Sequence, residues 1–255
     1  MNTKINGWIL DEFVAPDAHL KQGDLIKFDK EENPLRKAGI VVTADCDLEN
    51  KKHAKLVTLV PVIPVQIIME HYLLLEDCEK KKAQIENYAY KSFGIDLSQE
   101  LELKKTLLMM ALKGPPTGCQ SEYIVAAKIA LDQIESITVQ QYKALMSAIK
   151  TSCKKASELE KQVTSRGDLL LLPDPSKLGV TGSIAWVRHI WQAPLTTIAL
   201  RTSEVSSRQG ERIARLDSPY RYRLTQLMAQ VFSDIGLPNI QHAIEQSIQA
   251  AYNHV

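Results

Sequence analysis

The spacing of apolar residues changes twice along this chain, and that change constrains the fold more than any single motif. Up to about residue 65, apolar residues fall in short β-branched runs bounded by turn residues: "DLIKF" (Asp24 to Phe28), "GIVVTA" after the charged turn "DKEENPLRK", and "AKLVTLVPV" after "LENKKH". Runs of this kind suit the strands of a small antiparallel barrel or sheet, and Pro61 and Pro64 are expected to close the last of them. From about Gln66 to Lys161 apolar residues recur at helical spacing, in "QIIMEHYLLLEDCEKKKAQIENYAY", "SQELELKKTLLMMALK" and "TVQQYKALMSAIKTSCKKASELEKQV". The breaker "KGPPTGC" (Lys113 to Cys119) interrupts that block. Strand signals return in "GDLLLLPDP", "TGSIAWVRHI" and "TTIALRTSEV". The closing stretch "SPYRYRLTQLMAQVFSDIGLP" then places Leu224, Leu227, Met228, Val231 and Phe232 on one helical stripe. Ser218 is expected to cap this helix, with Pro219 in its first turn and "GLP" at its end.

Neither strand block is large enough to bury a sheet by itself. The order therefore predicts an α+β protein in which residues 1–65 and 166–255 form the two halves of one small antiparallel β-barrel domain with C-terminal helices, interrupted by a helical insertion over residues 66–165.

Charge and cysteines narrow the function classes. Lys+Arg 31 against Asp+Glu 30 leaves a formal net charge of +1, so any site for a polyanion must be a local patch. Cys46, Cys78, Cys119 and Cys153 include no C-x-x-C pair, which argues against a zinc knuckle or a disulfide framework and leaves reduced thiols as the expectation. The start "MNTKINGWILDEF" lacks the basic and apolar regions of a signal peptide. The longest apolar stretch, "LVTLVPVIPVQIIM", is too short and broken to span a bilayer. The expectation is a cytoplasmic protein with no membrane partner. No H-E-x-x-H pair and no glycine-rich phosphate loop is present, so neither a metal nor a cofactor is expected.

Two segments carry a resemblance. "QGDLIKFDKEENPLRKAGIVVTADCDLENKKHAKLVTLVPV" is similar to the opening of the MazF/PemK toxin family: a G-D-[IL] strand, a charged loop with a basic residue, an apolar strand, a polar turn and a V-x-P strand. "TTIALRTSEVSSRQGERIARLDSPYRYRLTQLMAQVFSDIGL" resembles the closing half, with its apolar strand, R-T dipeptide, I-x-R-L turn and terminal helix. The two pieces span a little under half of the chain, and the order of many weak motifs carries the likeness. It implies an SH3-like barrel with a packed helix, a homodimer, and, in active members, metal-independent cleavage of single-stranded RNA. It also implies a basic residue just before the second strand, where Arg36 and Lys37 both stand, and a hydroxyl just after the V-x-P strand, where this chain has Ile63-Pro64. That departure favours a degenerate toxin-like or defence-associated bacterial protein that binds nucleic acid or a partner protein. An active endoribonuclease is the alternative.

The candidate catalytic residues are Arg36, Lys37, Thr43, Asp45, Cys46 and Asp47, with Thr58 a further hydroxyl nearby. RNA cleavage needs a group to activate the 2'-hydroxyl and a cation to stabilise the phosphorane, which is the chemistry asked of them. Adjacent carboxylates at Asp45 and Asp47 can bind a cation or act as a base, whereas flanking anions disfavour a Cys46 thiolate. The competing reading is a strand end where Asp47 caps the turn and Cys46 packs inward. Among the arginines of the C-terminal segment, Arg215, Arg221 and Arg223 with Tyr220 suit phosphate contact and base stacking, or else a solvated face with ion pairs to Glu204, Glu211 and Asp217. Trp186 and Trp191 read as core, and Glu70-His71 as surface or core. The partners expected are single-stranded RNA or DNA, and a protein from the same operon bound through the helical insertion.

Overall fold

A computed structural model describes residues 6–10, 18–52, 54–114 and 120–233. The chain opens with strands β1 (Trp8–Leu10), β2 (Asp24–Lys27) and β3 (Ala38–Val41), a short helix α1 (Asp45–Glu49), and β4 (Leu56–Ile63). Helices follow: α2 (Val65–Ile68), α3 (Leu74–Lys80), α4 (Lys82–Ser92), α5 (Leu101–Lys113), α6 (Ser121–Ala130), α7 (Val139–Ala148) and α8 (Ala156–Thr164). Strands then resume as β5 (Leu169–Leu171), β6 (Ile184–Trp186), β7 (Trp191–Pro194), β8 (Ile198–Ala199) and β9 (Gly210–Leu216), before α9 (Ser218–Ser233). The class is α+β, as the sequence suggests.

The strands make one curled, half-barrel sheet in the order β1-β9-β2-β3-β4-β6-β5; β7 also pairs with β4, and the short β8 runs parallel to β9. Every other pairing is antiparallel. Side chains of a strand alternate between its faces, and the two cores follow that rule. Leu25, Ile40, Val60 and Val62 join one cluster, on which α9 lays Leu224 and Val231. Their neighbours Ile26, Val41 and Leu59 join another. Fully burying such side chains contributes roughly 1.5–3 kcal/mol each, so a slip of one residue in register would exchange the two cores and is strongly disfavoured.

β4 corrects one expectation. It does not close at Pro61 but runs through it, with Pro61 opposite Gly39 of β3. A proline removes one ladder donor, yet Val60 and Val62 on either side are buried and carry the strand on to Ile63. Gly39 is required by packing: the Trp191 ring occupies the space where its Cβ would stand. At the other end of the chain, α9 begins at Ser218 itself, so Asp217 and not Ser218 stands before the helix. The "GLP" expected to end it lies outside the described residues, as does Cys119.

The helices between β4 and β5 build their own core, with Leu74, Ile85, Leu108, Ile129, Tyr142 and Leu145 at its centre. One polar knot fixes it. The Asp77 carboxylate accepts from Tyr142 Oη at 2.7 Å and Lys81 Nζ at 2.6 Å, and Tyr142 Oη accepts from the Lys154 N–H at 2.9 Å. Burial pushes the Tyr142 phenol up, so it stays a donor, and pushes the neighbouring Cys78 thiol up to about 12. α2 passes into α3 through a π-turn over Met69–Leu73. Among the described residues no helix is long and apolar enough to cross a membrane.

Asp24 is the other polar knot, inside the sheet. Its side chain has no exposed surface and accepts from Arg215 Nε at 2.6 Å, Arg215 Nη2 at 3.3 Å and the Lys21 N–H at 2.8 Å, with Arg212 Nη1 at 3.9 Å. Burial raises the Asp24 carboxyl, against the opposing pull of Arg215, Lys21 and Arg212. Removing one partner of a buried ion pair strands the other. Asp24→Ala is expected to lower unfolding stability by about 3–5 kcal/mol in urea denaturation. Asp45→Ala, which gives up one hydrogen bond from the Gln22 N–H, should lower it by about 1 kcal/mol.

Candidate functional site

The sheet opens at one end into a cleft of about 340 Å³. Its floor is the mouth of the α9-covered core, with Ala38, Val62 and Val180. Lys27 ends β2 and pairs with Ala38 across the ladder; Lys37 immediately precedes β3, and its carbonyl accepts from the Phe28 N–H. The register therefore puts both lysines at the cleft. Across from them lie Pro64, which follows β4, and the segment Gly179 to Thr181. Gly182 holds that segment in place. At φ +113° it sits so close to the Ile63-Pro64 peptide that a Cβ would overlap it, and β6 then pairs Ile184 with Ile63.

Electrostatically the cleft is a local cationic spot on a nearly neutral chain. Lys27 Nζ is 2.9 Å from Asp29, whose side chain is 67% exposed. A pair so open to water is worth about 0–1 kcal/mol, so an incoming anion displaces Asp29 at small cost.

Of the candidate catalytic residues from the sequence, Lys37 is the one that lines the cleft. Arg36, its competitor for the same role, is exposed and does not. Thr43 Oγ1 accepts from the Thr58 N–H at 2.8 Å, so this pair of hydroxyl residues ties β4 to the end of β3. Asp45, Cys46 and Asp47 form the first turn of α1, not a capped strand end. Asp45 accepts from the Gln22 N–H at 2.7 Å, and Cys46 is exposed where inward packing was expected. Arg215 is held by Asp24. Tyr220 packs beside Gly7 against the α9-covered core. Arg221 stacks on Tyr222, and Arg223 donates to Gln226. None of these four lines the cleft.

Sequence reasoning missed Lys27 and Thr181. Lys27 sits inside a strand pattern, where a lysine reads as an edge residue. Thr181 belongs to a loop, and only the close approach of Gly182 brings it to Pro64.

A second constellation also escaped notice. Asp168, 3% exposed, accepts a bidentate pair from Arg166 at 2.9 and 2.8 Å and the Trp186 indole N–H at 3.1 Å, with Arg188 Nε at 3.4 Å. Arg166 lies 4.6 Å from the centre of the Tyr72 ring, and Tyr72 meets Trp186 edge-on. Trp186 is buried, as a core tryptophan should be, and His189 packs against it with ring centres 3.8 Å apart. Burial and the Arg166 charge lower the His189 pKa, so the imidazole is neutral at pH 7.

Among the described residues no group of three or more His, Cys, Asp or Glu side chains can hold a metal ion. No protein-family model, curated protein or solved structure matches this chain.

Burial works to raise the Asp168 carboxyl, but hydrogen bonds from Arg166 and Trp186, with the Arg166 and Arg188 charges, outweigh it and hold the group below its ordinary value. A carboxyl lowered in the folded state adds stability above its unfolded pKa, near about 3.9, and loses it as pH falls through the folded value. Urea unfolding between pH 5 and pH 2 should therefore show an acid loss of stability that is shallower in Asp168→Asn than in the parent. Asp24, shifted upward, acts with the opposite sign, and the comparison of variant with parent removes its contribution.

Proposed function

We propose that this chain is a toxin-like or defence-associated bacterial protein whose MazF/PemK-like, SH3-like barrel is split by a helical insertion and binds single-stranded nucleic acid. The observation that carries the reading is the pairing of Lys27 and Lys37 at the open mouth of the core, facing Pro64 and Thr181. Lys37 stands just before β3, where the resemblance calls for a basic residue. The split barrel is supported by strand pairing: β4 hydrogen-bonds both to β3 before the helices and to β6 and β7 after them.

Two lysines against the single carboxylate of Asp29 in this cleft favour contact with a phosphodiester backbone, which carries no base information and binds any sequence. Each phosphate neutralised on a single strand adds about 0.7 to the slope of log affinity against log salt. The cleft's pair therefore accounts for about 1.4 of that slope.

A second reading, endoribonuclease activity, is favoured by Thr181. Thr181 lines the same cleft as Pro64, and Pro64 stands where the resembling family carries its hydroxyl. Cleavage would place the proton-transfer step and the cationic stabilisation across a single cleft.

Fluorescence anisotropy with a short unstructured RNA, read alongside its length on a gel with and without Mg2+, tests both readings. Lys27→Ala and Lys37→Ala should each weaken binding on the order of tenfold, and the double variant should flatten the salt slope by about 1.4. Intact RNA throughout supports the binding module. Cleavage abolished by Thr181→Val with binding retained supports the nuclease, and variants that leave the affinity unchanged contradict the proposal.

A further inference from the structure

The loop between β2 and β3 has a cleft on each side, and Pro34 lines both. Beyond the lysine cleft lies a second space of about 470 Å³, within the range of small-molecule sites. Glu32 and Asn33 of the loop form one wall, His71 and Glu135 come from the helical segment, and Trp186 and His189 close it. The helix that begins at α2 links the two spaces: Ile67 lines the first, and His71, within the π-turn, lines the second.

The two spaces differ in chemistry. Among the described residues no lysine or arginine lines the second. Its carboxylates repel phosphate but accept hydrogen bonds from amino and imino N–H groups. His189 is exposed, and its flat ring packs at a tilt of 48° against the buried Trp186. That tryptophan does not move easily, because Asp168 fixes the indole N–H and Arg166 fixes Asp168. Lysines in one cleft and carboxylates with a stacking ring in the next are the complementary halves of a nucleotide.

We propose that the second cleft is a nucleobase subsite, which stacks an amino-bearing base on His189 and reads its N–H groups with Glu32 and Glu135, while the adjoining backbone phosphate lies against Lys27 and Lys37. This deepens the nucleic-acid reading above and rests on it. Stacking supplies affinity that tolerates different ring systems, and the carboxylates add a preference for adenine or cytosine over uracil, which presents two carbonyls and a single N–H.

The test uses the full chain and three oligomers of equal length: oligoadenylate, oligouridylate, and an abasic sugar-phosphate chain. The parent should bind oligoadenylate on the order of tenfold more tightly than the abasic chain, with oligouridylate between. His189→Ala should abolish that difference and leave abasic binding unchanged. His189→Phe, which restores a stacking face, should recover it, and Glu135→Gln should narrow the gap between adenylate and uridylate. Lys37→Ala should weaken all three oligomers alike. A parent that binds base-bearing and abasic chains equally, or a His189→Ala variant that keeps the preference, overturns the subsite while Lys37 dependence upholds the backbone site. Binding that ignores Lys37→Ala, or no binding of any oligomer, overturns both.

Discussion

A carboxylate sealed inside a β-sheet is tolerated only if cations and donors meet it there, and Asp24 is in that position. Its partners Arg215 and Arg212 belong to β9, near the other end of the chain, and the pairing selects the one β2–β9 alignment that brings them together. A bulge between Leu25 and Ile26 follows, and the strand then delivers Lys27 to the cleft. The neighbouring ladders place Lys37 through β3 and Pro64 through β4. The position of each cationic group thus descends from an ion pair that lies outside the cleft.

The helices follow a separate logic. Their apolar stripes meet one another, and the Asp77–Tyr142–Lys81 knot ties α3 and α7 together. Against the sheet they lay an apolar seam, with Ile68 and Leu73 packed on Ile63 and Trp186, and residues with chemistry sit beside it. His71 and Glu135 reach the second cleft, and Arg166 lies against both the Tyr72 and the Trp186 rings, which meet edge-on. The Arg166–Asp168 pair is therefore both a joint between helices and strands and the foundation on which His189 rests. Losing Asp168 would disturb the base subsite through Trp186 without touching the lysine cleft.

Much of the architecture is legible from hydrophobic period. β-branched runs at Asp24, Gly39 and Leu56 became β2, β3 and β4, and the helical spacing from Gln66 onward became α2 to α8. Long-range polar partnership was not legible. Nothing local to Asp24 announces a guanidinium 191 residues away, and nothing in "SRGDL" announces that Asp168 will hold the Trp186 indole. The most conspicuous motif took a different local structure for a physical reason. Two acidic residues beside Ala44 suit the positive end of a helix, and Asp45-Cys46-Asp47 opened α1 where the strand pattern suggested a rim. Thr181 was hidden because a loop residue gains its address only from what packs beside it, here Gly182 against Ile63-Pro64.

The central claim is that Lys27, Lys37 and the Gly179–Thr181 segment form the nucleic-acid contact. Amide chemical-shift mapping during titration with a short single-stranded oligonucleotide tests it most directly. The account predicts shifts concentrated at Lys27 to Asp29, at Lys37, at Ile67 and at Gly179 to Thr181, continuing through His71 and His189. Shifts confined to Asp45–Asp47 and Arg221–Arg223, or no shift at saturating oligonucleotide, would contradict it.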